Sequence, residues 1–181
     1  MIKLRALEPK DAPYMLEWMH DPDIQKGFKR NMLDASMDDV ITFINKYSNI
    51  PEKIISGMSL HYALVEESDE YLGTASLKNI DIMNGTAEYA ITTRKIAQGG
   101  GKAYNATMMM LKKAFSDLGL RRVYLSVYSN NYSAINLYEK CGFIFEGEFR
   151  KHFVINGQYV DWKWYGILAD EFQRLNSISE K

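Results

Sequence analysis

The sequence predicts an α+β fold, a mixed α/β sheet with local hairpins and helices laid against it. Tight-turn pairs at Asn84-Gly85 and Asn156-Gly157 each join strand-like neighbours, which is the chemistry of antiparallel hairpins. A glycine run, Gly99-Gly100-Gly101, opens one long amphipathic stretch over residues 102–118. Strand-like and helix-like segments alternate too irregularly for a doubly wound sheet or a barrel.

Each element has its own warrant. Residues 2–7 alternate apolar and charged side chains, as a half-buried strand does. Residues 11–20 form a short helix with Met15, Trp18 and Met19 on one side, interrupted by Asp21-Pro22. Residues 36–47 form the next helix, with Ser36 as N-cap, Asp38 and Asp39 in the first turn, and Met37, Val40, Ile41, Ile44 and Tyr47 as its apolar face. Strands follow over 59–66, 71–82 and 86–93, the first two separated by a Ser-Asp-Glu turn. The long helix carries a stripe of Ala103, Met110, Ala114 and Leu118, and Gly119 ends it. A strand over 122–128, a helix over 132–141 stopped by Gly142, and two strands over 143–155 and 158–168 complete the order. Residues 1–175 are expected to form one domain and 176–181 a frayed tail.

Composition narrows the function. With 181 residues and a net charge of −1, the chain is not expected to be a general nucleic-acid or membrane-surface binder. The one cysteine, Cys141, excludes an internal disulfide framework and fits a reducing compartment. The start, M-I-K-L-R-A-L-E-P-K-D, carries charge where a signal peptide needs apolar residues, and no apolar run approaches the ~20 residues of a membrane span. A cytoplasmic location is the resulting expectation. His20, His61 and His152 show no metal-ligand spacing, so no metal is expected.

The segment R-K-I-A-Q-G-G-G-K-A-Y-N-A, residues 94–106, is where chemistry enters. Strand, glycine loop and helix N-terminus together form an anion site, because first-turn N–H groups lack partners and the helix dipole is positive there. A dinucleotide fingerprint fails, since no further glycine follows Gly101 at the required spacing, and the Walker pattern fails because Ala103 stands where Ser or Thr is needed. Gln-x-x-Gly-x-Ala does fit, over Gln98, Gly101 and Ala103.

That loop resembles the pyrophosphate loop of the GNAT superfamily of acetyl-CoA-dependent N-acetyltransferases. A second likeness is the segment S-N-N-Y-S-A-I-N-L-Y-E-K-C-G-F, matched at Asn131, Ala134, Tyr138, Gly142 and Phe143. The ending F-V-I-N-G-Q-Y-V-D-W-K-W-Y-G-I-L is similar to the closing hairpin of the branch holding ribosomal-protein alanine, spermidine and amino-sugar acetyltransferases. Tyr104-Asn105 departs from the pattern, where a glycine is common.

The resemblance implies a twisted, mostly antiparallel sheet of about seven strands, with a splay between two central parallel strands that takes the pantetheine arm of acetyl-CoA. It implies contacts to that co-substrate from Ile91, Thr92, Gln98, Gly99, Gly100, Gly101, Lys102, Ala103 and Asn131. It makes Tyr138 the acid for the departing thiolate. Glu88, in A-E-Y-A-I, is the candidate base, expected as an inward carboxylate with a raised pKa. Arg94, Lys95 and Lys102 are close enough in sequence to offer charge to phosphates, and Cys141 is expected to be a buried small residue.

The acceptor amine is less defined. Lys26, Lys29 and Arg30 would repel a polycation and favour an amine that also bears an anion, such as a nucleotide-linked amino sugar; Asp38 and Asp39 oppose this if turned inward. A protein N-terminus and a polyamine stay open as acceptors, as does a homodimer. A catalytically silent CoA-binding module is the alternative function, against which Tyr138 and Glu88 speak.

Overall fold

The computed structural model describes every residue except Lys29, Glu180 and Lys181, and describes only the backbone of Asn176, Ile178 and Ser179. Lys29, one of the cations expected in the acceptor wall, therefore lies outside the described residues. Seven strands form one sheet in the order β1-β2-β3-β4-β5-β7-β6. They are β1 (Ile2–Ala6), β2 (Leu60–Glu66), β3 (Tyr71–Asp81), β4 (Thr86–Thr93), β5 (Arg122–Tyr128), β6 (Ile144–Ile155) and β7 (Gln158–Leu168). The helices are α1 (Ala12–Met19), α2 (Pro22–Gln25), α3 (Met37–Tyr47), α4 (Lys102–Lys112), α5 (Tyr132–Lys140) and α6 (Ala169–Ser179).

β1 through β4 pair antiparallel in sequence order, and β5–β7 and β7–β6 are antiparallel too. Among the described residues only β4 and β5 run parallel, and their pairing is short: Thr86 opposite Arg122, Ala87 opposite Val123, Glu88 opposite Tyr124. Residues 89–93 of β4 have no partner on β5, so the sheet splays there. Parallel strands held together at one end and parted at the other leave a slot lined by strand backbone.

Two layers of apolar side chains flank the sheet. Ala87, Tyr89, Val123 and Leu125 join Met110, Leu111 and Ala114 of the α4 segment and Ile135 and Tyr138 of α5 in one core. Ala63, Val65 and Tyr71 pack with Met15, Trp18 and Met19 of α1 and Val40 and Ile44 of α3 in the other. The expected caps are present: the Ser36 hydroxyl accepts from the Asp39 N–H at 3.1 Å while Asp39 accepts from the Ser36 N–H at 2.9 Å. Asp21, just past the C-cap of α1, caps α2 by accepting from the Asp23 N–H at 2.8 Å.

Two elements differ from expectation. The helix expected over 102–118 is α-helical only to Lys112, then π-helical over Lys113–Asp117, with the Leu118 N–H donating to the Lys113 carbonyl at 3.1 Å. The widened turn keeps Ala114 buried, and buried Phe172 of α6 packs against Phe115. Helix α6, for which the sequence predicts no element, continues straight from β7 and reaches Ser179. Its start is capped by Glu171, which accepts from the Leu168 N–H at 2.8 Å.

Candidate active site

The glycine run is explained by its backbone. Gly99, Gly100 and Gly101 have φ of +81°, +60° and +75°, three successive left-handed residues. For any other residue each would cost roughly 1–2 kcal/mol. A β-carbon at any of the three would meet nothing within 4 Å, so the space in front of the loop is open. Gly101 is the N-cap of α4 and contributes no side-chain cap, and the first-turn N–H groups of Lys102, Ala103 and Tyr104 precede the intrahelical ladder, whose Asn105 N–H donates to the Gly101 carbonyl at 3.0 Å. Gln98 and the glycines are exposed, and Ala103 is half-buried. The result is an open, positively polarised backbone cradle.

The cations around this cradle are already engaged. Lys102 pairs with Glu66 at 2.7 Å. Lys95 reaches Asp21 at 3.0 Å and Asp23 at 3.1 Å. Arg94 is buried, forks onto Glu17 at 2.7 and 3.0 Å, donates to the Tyr71 carbonyl at 3.0 Å and lies over the Tyr14 ring. It fastens the end of β4 to α1 and is not free to reach a phosphate. In this structure all three cations, which were expected to offer charge to phosphates, are paired with carboxylates, and the groups that face the open space unpaired are backbone N–H groups of the cradle.

The Arg94 N–H donates to the Leu72 carbonyl of β3 at 2.8 Å, and Thr92 stands opposite Thr74. Backbone groups alternate sides along a strand, so those of Thr92 and Arg94 face β3 while those of Ile91 and Thr93 face the splay. Ile91 and Thr93 thus turn their backbone groups to the slot, while Thr92 turns its own to β3. Asn131, across the slot, is the N-cap of α5 and accepts from the Ala134 N–H at 3.2 Å; its amide nitrogen lies 3.4 Å from where a β-carbon on Gly27 would stand.

Tyr138 is buried, with its ring packed edge-on against Tyr89 at 6.4 Å and Phe143 at 5.9 Å. Tyr89 is the first β4 residue beyond the β4–β5 pairing, which brings Tyr138 to the mouth of the splay. Among the described residues its hydroxyl has no hydrogen-bond partner, and burial pushes its pKa up to about 12. Cys141 is a free thiol, buried and pushed up to about 11 by desolvation.

Glu88 does not point inward. Ala87 and Tyr89 take the core face, so strand alternation sends Glu88 to the opposite one. There Lys78 donates to one carboxylate oxygen at 2.9 Å and Asn79 to the other at 3.0 Å. The carboxylate expected to point inward lies instead on the opposite face, partly exposed and with two donors. Its register partner Tyr124, not anticipated, extends the same face toward Trp164, 6.3 Å away ring to ring. His61 shares a hydrogen bond of 2.8 Å with Ser76 and is held down to about pKa 4 by burial, with Lys78 and Lys46 adding to the shift.

A splayed parallel pair, a backbone anion cradle and a buried phenol between them define an acyl-donor-binding protein. Residues 4–164 match the acetyltransferase (GNAT) domain family, and the chain belongs to it. It is 32% identical over 158 residues to spermidine N(1)-acetyltransferase of Escherichia coli (strain K12), covering 87% of this chain and 81% of the relative. It is 30% identical over 172 residues to spermidine N(1)-acetyltransferase of Vibrio cholerae serotype O1, covering 94% and 95%. A putative ribosomal N-acetyltransferase of Bacillus subtilis (strain 168) is 27% identical, with 95% and 93% covered. Among solved structures, spermidine N-acetyltransferase from Vibrio cholerae in complex with CoA and spermine superposes with a TM-score of 0.82 at 28% identity, over 95% of this chain and 98% of that one. A dodecameric structure of the Vibrio enzyme superposes with a TM-score of 0.73 at 27% identity, over 94% and 95%. The chain is an N-acetyltransferase that takes acetyl-CoA as co-substrate and an amine as acceptor. Among the described residues no helix is long and apolar enough to cross a membrane.

Proposed function

We propose that the acceptor is a primary amine of an aliphatic polyamine and that transfer is direct, without an acetyl-enzyme. The observation behind the acceptor is the pairing of Lys26 with Asp23 at 2.7 Å, beside Asp21 and Asp23 holding Lys95. Lys26, one of the cations that favoured an anion-bearing amine, is offset by a carboxylate of its own segment. The similarity to spermidine acetyltransferases over most of the chain supports the same acceptor.

In this scheme the cradle of Gln98, the three glycines, Lys102 and Ala103 takes the pyrophosphate, and Ile91 with its neighbours and Asn131 takes the pantetheine arm. The amine nitrogen attacks the thioester carbon, the carbon–sulfur bond breaks, and Tyr138 supplies the thiolate proton. Glu88 removes the amine proton, directly or through water, after loosening one of its two donors. Self-association, supported by the dodecameric relative, and a reducing compartment, supported by the single free thiol, belong to the same proposal.

The test is release of free thiol from acetyl-CoA with a panel: spermidine, spermine, putrescine, a nucleotide-linked amino sugar and an alanine-starting peptide. A polyamine should lead in kcat/KM by at least about tenfold, or ~1.4 kcal/mol. A lead by the amino sugar or the peptide would overturn the acceptor assignment. An acetylated protein in an intact mass spectrum after acetyl-CoA alone would overturn direct transfer.

A further inference from the structure

A hydrogen-bond chain runs from the co-substrate cradle through Thr107 to Tyr89, whose ring lies against Tyr138, and the chemistry above uses neither residue. The Thr107 hydroxyl donates to the carbonyl of Ala103, in the first turn of α4, at 2.7 Å. It lies 2.9 Å from the hydroxyl of Tyr89, which is 2% exposed. A threonine hydroxyl carries one proton, already given to Ala103, so Tyr89 is the donor and Thr107 the acceptor. The orientation of the Tyr89 ring is thereby fixed at its far end.

Tyr138 has no such anchor. Its hydroxyl makes no hydrogen bond among the described residues, so the ring is held by packing alone. Tyr89 lies against it edge-on, and Phe143, stacked on Tyr89 at 6.1 Å, closes the third side. A ring held only by packing takes its tilt from its neighbours, and here one neighbour is bonded to the cradle helix.

We propose that Tyr89 is a positioning residue for acetyl transfer: its O–H bond to Thr107 sets the ring against which Tyr138 rests and ties that ring to the first turn of α4. This rests on Tyr138 acting as the acid. Misplacing a reacting group by a fraction of an ångström slows chemistry without weakening binding, so the effect belongs in kcat.

The experiment compares Tyr89→Phe, Thr107→Val and Thr107→Ser, alone and with Tyr138→Phe, using the panel amine that turns over fastest. Tyr89→Phe and Thr107→Val should each lower kcat about three- to tenfold with KM for acetyl-CoA unchanged within about twofold, and Thr107→Ser should restore the rate. In the Tyr138→Phe background, Tyr89→Phe should change kcat by less than about 1.5-fold, because its effect passes through the lost hydroxyl. Circular dichroism checks the fold, and the Val/Ser contrast at 107 carries the test should Tyr89→Phe not fold. A wild-type rate for Tyr89→Phe beside a slow Tyr138→Phe overturns the inference alone. An undiminished Tyr89→Phe effect in the Tyr138→Phe background also overturns it, since the role would then be structural. A wild-type rate for Tyr138→Phe overturns the acid assignment and this inference with it.

Discussion

Gly73 of β3 and Thr92 of β4 are in backbone contact so close that a β-carbon on Gly73 would overlap the Thr92 carbonyl oxygen and stand 2.9 Å from the Thr93 Cα. No side chain can yield there, because both obstacles are main chain. The absence of a side chain at 73 thus sets where β4 lies as it passes the splay. Gly73→Ala should push residues 91–93 into the slot. Overpacking of this kind costs about 1–3 kcal/mol of stability. CoA affinity by calorimetry should fall at least about fivefold, ~1 kcal/mol; a folded variant with unchanged affinity would separate the slot from this strand edge.

The glycine cradle gives a paired test of strain against occlusion. Gly101 and Gly119 have φ of +75° and +64°, and neither faces an obstacle within 4 Å. Alanine at either position carries a similar backbone penalty of roughly 1–2 kcal/mol. Only Gly101 fronts the proposed phosphate site. Gly101→Ala should weaken CoA binding about tenfold while Gly119→Ala leaves it within about twofold, both with a similar drop in melting temperature. Equal affinities in the two variants would deny the cradle its role.

Lys102 illustrates what the sequence could not show. Its place behind the glycines suggested a phosphate partner, yet Glu66, far off in sequence, holds it at 2.7 Å. Arg94 is likewise taken by Glu17, 77 residues away. Ion pairs between distant segments leave no local pattern. Turn chemistry and periodicity, by contrast, are local, and Asn84-Gly85, Asn156-Gly157 and the Ser36 cap all stand where the sequence put them. Helix α6 escaped because it follows β7 with no Gly, Pro or Ser/Thr/Asp/Asn cap between them, and among its described side chains only Phe172 is buried. The direction of Glu88 was not legible because alternation tells which residues share a face but not which face is the core. For Lys102 the consequence is measurable: Lys102→Met should cost CoA binding less than about threefold, as an exposed pair contributes little. A tenfold loss would mean that the lysine leaves Glu66 for the phosphate.

His61 makes stability depend on pH. Burial is the main cause of its fall from 6.5 to about 4, with the Lys78 and Lys46 charges adding to it. The folded state prefers the neutral ring and the unfolded state takes up the proton near 6.5. Stability from this residue is therefore full above pH 6.5, lost progressively as pH falls, and gone below about 4. The total is ~3 kcal/mol by linkage. Urea unfolding at pH 7.5 and 4.5 should show a drop about 2 kcal/mol smaller in His61→Gln than in wild type. Identical drops would mean that the imidazole is protonated in place.

In the proposed mechanism Tyr138 supplies the thiolate proton. Burial holds the phenol at about 12, so it stays protonated throughout the working range of any assay. A thiol titrates near ~8.5, and handing it a proton from a group at about 12 in a separate step would be uphill by roughly 5 kcal/mol. Transfer must therefore keep pace with carbon–sulfur cleavage, when the sulfur is most basic and the phenol is already in place. General acid catalysis contributes ~10²–10⁴-fold, and water can replace part of it. Tyr138→Phe keeps the ring against Tyr89 and Phe143, so acetyl-CoA should bind with KM within about twofold while kcat falls at least about tenfold. The wild-type kcat should show no descending limb from this residue as pH is raised to about 10, since its ionisation lies higher. A descending limb near pH 8 to 9 that Tyr138→Phe abolishes would keep the acid role but place the phenol at an ordinary or lowered pKa once acetyl-CoA has closed the slot. A wild-type rate in Tyr138→Phe across the same range would leave the ring as packing and hand the proton to solvent.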